Sequence, residues 1–130
     1  MKLVRHVPLF SQCTKRELTE IAGIADEIDL RDGKVLIREG ERGREFFVLL
    51  DGSAEVTKDG RHINTLGPGD FFGEIALISN SPRTATVTAT SPVHTLVITD
   101  RSFRRLLDES PEIQRKVLVA LAERLAPATL

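Results

Sequence analysis

The apolar positions change period twice along the chain. Leu18, Ile21, Ala22 and Ala25 recur at helical spacing and make one apolar face. Ahead of them, Thr14-Lys15-Arg16-Glu17 has the form of a capping box, with Thr14 as N-cap and Glu17 reaching back. The pattern predicts an amphipathic helix over 14–25, preceded by a short helical turn within the apolar residues 3–10. From residue 28 the period shortens. Apolar runs at 35–37, 46–50, 54–56 and 62–66 are separated by Asp32-Gly33, Glu39-Gly40, Asp51-Gly52, Asp59-Gly60 and Gly67-Pro68-Gly69-Asp70. Two further strands, 84–90 and 93–98, show Thr/Val alternation suited to a half-buried sheet. Short, evenly spaced strands with Gly/Asp turns predict an antiparallel sandwich or jelly-roll barrel. Helical spacing then returns. Asp100 is placed to cap a helix through Phe103, Leu106 and Leu107. Ser110 and Pro111 suit the N-cap and first position of a second helix. There Ile113, Val117, Leu121 and Leu125 recur every four residues, with Leu118 and Ala122 beside them, and Pro127 is expected to end it. That stripe must bury against something. The expectation is a mainly β fold with flanking α: one N-terminal helix, about eight strands in a β-roll, and two C-terminal helices.

Composition narrows the function. The 130 residues suffice for one domain with one core. With 41% hydrophobic and 28% charged residues the chain reads as soluble and globular. A formal net charge of −1 suggests no nucleic-acid surface, and no winged-helix segment follows residue 126, so this chain alone is not expected to read DNA. No window approaches the about 20 apolar residues of a membrane span. The start lacks a secretory apolar core, and one cysteine, Cys13, excludes an internal disulfide, so a cytoplasmic location is expected. Cys13 reads as a small apolar residue. His6, His62 and His94 are too scattered for a metal triad, and neither a Walker loop nor a Ser–His–Asp arrangement is present. The chain is expected to be neither an enzyme nor a metalloprotein.

Candidate chemistry concentrates in residues 72–87. Gly73 stands between Phe72 and Glu74. Four small or apolar residues follow, Ile75 to Ile78, then polar turn residues 79–81, then Pro82, Arg83 and the run Thr84-Ala85-Thr86-Val87. A one-turn helix flanked by loops fits this pattern. Glycine lets the backbone approach a ligand. The first N–H groups of a short helix, at Gly73 to Ala76, favour an anion. Arg83 adds a fork of donors suited to phosphate. Glu74 is an acceptor in a site that otherwise attracts negative charge, which makes sense for a sugar hydroxyl.

Phe-Gly-Glu-Ile-Ala-Leu, a short insert, then Pro-Arg-Thr-Ala-Thr-Val resembles the phosphate-binding cassette of cyclic-nucleotide-binding domains, with roughly ten positions in order. The resemblance extends to the turn glycines Gly40 and Gly52 and to Gly69-Asp70 before the cassette. It implies a single domain over 1–130, with a helical part at 1–27, a β-roll at 28–99 and hinge and lid helices at 100–126. It implies a nucleotide site made of Phe72, Gly73, Glu74, Ile75, Ala76, Pro82, Arg83, Thr84 and Ala85. In it, Glu74 accepts from the ribose 2′-hydroxyl and Arg83 pairs with the cyclic phosphate. Thr84 admits cGMP without excluding cAMP, and cAMP is the first expectation, with no other cofactor. Val87, Ile63 and Leu66 either seat the base or fill the roll, and the core is the expected place for most of them. Leu77 is expected in the core, relaying binding to Phe103 and Leu107. The helix over 111–125 either closes over the base or pairs with a second copy of the chain, and an effector domain or protein receives the signal. Two alternatives stand beside this: a β-roll interaction module without nucleotide, and a fragment of a larger regulated enzyme, channel or transcription factor.

Overall fold

A computed structural model describes residues 7–11 and 13–129. After a 3-10 turn at Pro8–Phe10, the chain forms α1 (Lys15–Ile24) and five strands: β1 (Asp26–Leu30), β2 (Val35–Ile37), β3 (Glu45–Asp51), β4 (Ala54–Lys58) and β5 (Arg61–Leu66). Then come β6 (Phe71–Phe72), α2 (Glu74–Ser79), β7 (Thr86–Ala89), β8 (Val93–Thr99), α3 (Asp100–Glu109) and α4 (Pro111–Thr129). The capping box at the head of α1 forms as the sequence predicts: Thr14 Oγ1 accepts from the Glu17 N–H at 3.1 Å, and Glu17 Oε1 accepts from the Thr14 N–H at 2.9 Å.

The strands make two antiparallel four-stranded sheets, ordered β1-β8-β3-β6 and β2-β7-β4-β5. The roll is therefore a sandwich and not the closed barrel the strand spacing also allowed. Closure needs a ladder across each seam, and β6, with two residues, has too little length to build one. β3 and β8 are buried on both faces. Phe47, Leu49, Val93 and Val97 meet Ile37, Ala54, Leu66 and Val87 of the other sheet, forming the roll core. Phe46, Val48, Leu96 and Ile98 point the other way, onto Ile21, Leu77, Phe103, Leu106, Ile113 and Val117 of the helices. Phe46 stacks on Phe103 with ring centroids 4.4 Å apart. Two apolar layers thus share one sheet, which is why 46–50 reads as a continuous apolar run. At Gly52, φ is 89° and an added Cβ would stand 2.3 Å from the Pro92 carbonyl oxygen, so only glycine fits this hairpin.

Several expectations are corrected. The first strand begins ahead of residue 28: β1 starts at Asp26 and consists of Asp-Glu-Ile-Asp-Leu, mostly exposed. Thr99, not Asp100, caps α3, its hydroxyl accepting from the Ser102 N–H at 3.3 Å. Ile63 is 56% exposed and fills no core. On α4, Ile113 and Val117 are buried, while Leu118 is 51% exposed on the opposite side. Leu125 lies outside the described side chains. The α4 backbone runs through Pro127 to Thr129. Residues 3–6 of the expected first turn fall outside the described residues.

Candidate functional site

β6 ends against β3, and Gly73 turns the chain into α2 with φ 96°. A Cβ there would lie 3.0 Å from both the Glu45 carbonyl oxygen and Arg83 Nη1, so conformation and space both call for glycine. Phe72, one residue earlier, is buried in the roll core and stacks on Phe47 at 5.0 Å. The first turn of α2 carries Glu74, Ile75 and Ala76, whose N–H groups have no intrahelical acceptor. Asn80 closes the helix in the left-handed region, φ 52°.

The return strand is clamped by backbone. Pro82 bridges Arg42, the Arg83 N–H donates to the Glu41 carbonyl at 2.7 Å, and the Arg83 carbonyl accepts from the Gly40 N–H at 2.9 Å. Thr84 follows on the surface, Ala85 is half-buried, and β7 begins at Thr86.

This clamp aims the Arg83 side chain inward, where the residue is 6% exposed. Nη1 donates to the Gly73 carbonyl at 2.8 Å and Nη2 to the Glu45 carbonyl at 2.6 Å. Among the described residues it makes no ion pair. Burial pulls its pKa down, opposed by the carboxylates of Glu45, Glu74 and Asp100. The group stays charged, with N–H donors left over. A buried cation held only by neutral carbonyls, beside a helix N-terminus, is an arrangement that binds an anion.

Glu74 is fully buried. Its Oε1 accepts from Arg124 Nη1, on α4, while Oε2 has no hydrogen-bond partner among the described residues. Arg124 also donates to the Phe71 carbonyl and lies over the Phe71 ring, 5.0 Å from its centroid. Beside this contact a cavity of about 290 Å³ opens between Pro8, Leu9, Gly69, Phe71, Ala120 and Arg124; none of residues 72–85 lines it. Buried polar atoms normally have partners, so an orphan carboxylate oxygen calls for a donor. Nothing local in the sequence pointed to Arg124.

The structure thus brings Gly73, Glu74, Ile75, Ala76 and Arg83 together. Pro82, Thr84 and Ala85 flank them on the way to β7, and Phe72 serves the core beneath. Residues 27–110 match the family described as the cyclic nucleotide-binding domain, well over half of the chain. The chain belongs to that family. This cyclic nucleotide-binding domain is 40% identical over 118 residues to a cAMP-dependent protein kinase regulatory subunit of Mycosarcoma maydis; the match takes in 82% of this chain and 22% of that protein. Its fold matches a solved structure of PKAR CBD2 bound to Sp-2Cl-cAMPS, with TM-score 0.83 and 33% identity over 98% of this chain and 88% of that one. It also matches the regulatory subunit of a cAMP-independent protein kinase A from Trypanosoma brucei, with TM-score 0.84 and 25% identity over 94% of this chain and 44% of that one. Among the described residues of the domain no helix is long and apolar enough to cross a membrane, and no cluster of three His, Cys, Asp or Glu is set to hold a metal.

Proposed function

We propose that this domain senses cAMP in the cassette and passes its occupancy to α3 and α4. The observation that carries the reading is the juxtaposition of Glu74 and Arg83: a buried carboxylate with one oxygen that has no partner among the described residues, near a buried guanidinium that makes no ion pair among them. One needs a hydroxyl donor and the other an anion, and a ribose cyclic phosphate supplies both. The phosphate sits on Arg83 and the first N–H groups of α2, and the 2′-hydroxyl donates to Glu74 Oε2. Thr84, exposed at the rim, leaves room for cGMP as the weaker ligand.

α4 acts as the lid, with Arg124 as its contact on the cassette. Ligand binding shifts the population between lid positions by no more than its differential affinity for them. The domain is regulatory and not catalytic in this reading, in keeping with its likeness to a fungal kinase regulatory subunit. It works in the cytoplasm, where a lone cysteine stays reduced. Its output goes to an effector domain or protein, for which a protein kinase catalytic subunit is the first candidate.

Calorimetric titration with cAMP and cGMP tests this on wild type and Arg83→Ala. Micromolar or tighter binding of cAMP is expected. Loss of a hydrogen bond to a charged group should weaken it on the order of tenfold to a hundredfold or more in the variant. Failure of both nucleotides to bind wild type at millimolar concentration would sink the sensor reading and leave the roll as an interaction module.

A further inference from the structure

Helix α2 is held by an arginine at each end. Arg124 reaches its first residue, as described. At the other end the last carbonyls lack intrahelical donors. Ser79 Oγ donates to the Ile75 carbonyl at 2.6 Å, and the N–H groups of Asn80 and Ser81 both turn back to the Ala76 carbonyl. Of the carbonyls that remain, that of Leu77 accepts from Arg104 Nη2 of α3. The same guanidinium places Nε on Asp100 Oδ1 at 2.7 Å, one turn earlier on α3. Asp100 in turn gives its N–H to the Arg44 carbonyl at 2.8 Å. The next carbonyl, Glu45, is one of the two that hold Arg83. A closed ring of polar contacts therefore runs from Arg83 through the 44–45 backbone, Asp100, Arg104 and Leu77 to α2, and back to Arg83 through the Gly73 carbonyl.

We propose that Arg104 is the positioning residue that makes α3 follow α2. The proposal rests on the cassette being the ligand site. The side chains of Leu77, Phe103 and Leu106 pack below this contact, but apolar packing is non-directional and lets surfaces slide. A planar guanidinium fixed on two acceptors does not slide. Its charge also suits the negative end of α2. A displacement of α2 must then turn the Asp100–Arg104 segment with it, and with that segment the start of α4.

Arg104→Met keeps the apolar stem and removes the fork; Arg104→Lys keeps charge and one point donor. In unliganded protein, Arg104→Met should speed amide exchange in residues 80–81 and in the first turn of α3 by about tenfold, with Arg104→Lys in between. With cAMP added, wild type should change exchange across 100–109. Arg104→Met should bind cAMP within a few-fold of wild type yet lose that change in α3. A residue with only a structural role would lower stability equally with and without ligand and leave the α3 response in place. A ligand response in α3 of Arg104→Met as large as wild type's would overturn the proposal. If wild type binds no cAMP, the functional reading falls, and the unliganded comparison decides alone: equal exchange in wild type and Arg104→Met rejects the tie.

Discussion

Glu74 and Arg124 stand 50 residues apart in the chain and meet as an ion pair in which the carboxylate is fully buried and the guanidinium side chain is 31% exposed. Replacing Arg124 by Leu leaves both oxygens of a buried carboxylate without a donor. Such orphaning should cost about 2–4 kcal/mol, read as a lower denaturation midpoint. Glu74→Gln in the Arg124→Leu background should recover much of the loss. Strictly additive costs for the two changes would show that the pair is not coupled.

Glu74→Gln in the otherwise wild-type chain addresses the sugar. A neutral amide accepts a hydroxyl proton less strongly than a carboxylate. The preference for cAMP over its 2′-deoxy analogue should therefore shrink roughly tenfold, measured as a ratio of dissociation constants. An unchanged ratio rules out the ribose role.

Gly43 supports the cassette from behind. A Cβ there would lie 2.8 Å from Ala76 Cβ and 3.3 Å from Arg83 Cζ. Gly43→Ala should push α2 off Arg83, destabilise by about 1–3 kcal/mol and weaken cAMP binding. Ala76→Gly in the same chain removes the opposing methyl, and calorimetry should show affinity returning. Binding by Gly43→Ala equal to wild type would mean that this contact does not set the position of α2.

Glu17 links the two helical ends. The Thr14 backbone N–H, then the Ser110 hydroxyl, which donates to Oε2 at 2.7 Å, hold its carboxyl below the ordinary value of 4.5. A lowered folded-state pKa contributes stability that is present above 4.5 and lost as pH falls through the lowered value. Wild type should lose stability between neutral pH and that acid range more steeply than Glu17→Gln does. Parallel profiles in chemical denaturation would refute this.

How much of this was legible depends on where each signal lies. α1 and the cassette are written in local residues: a capping box, and a glycine, an acid and an arginine at fixed spacing. The strands of the roll interior were readable from the turns that separate them. β1 was not, because three of its five residues are carboxylates and its pairing is supplied by β8. Whether the roll closes depends on edge ladders, which strand spacing does not specify. Arg124 and Arg104 act through contacts made across 50 and 27 positions, and nothing beside them in the chain marks them as partners of α2.

The exposed strand β1 has a mechanical consequence. It starts just after α1, with Asp26 paired to Val97, two residues before β8 hands over to α3. Both helices therefore adjoin the same end of the β1–β8 pair, at the edge of the four-stranded sheet. Glu17 and Ser110 buckle them together, and Lys116 Nζ fastens α4 to the Pro8 carbonyl at 2.8 Å. These contacts tie the helices into one layer against a single face of the roll. An unbroken line of polar contacts therefore connects α2, through Arg104, Ser110 and Lys116, with the N-terminal segment as well as with the C-terminal helices.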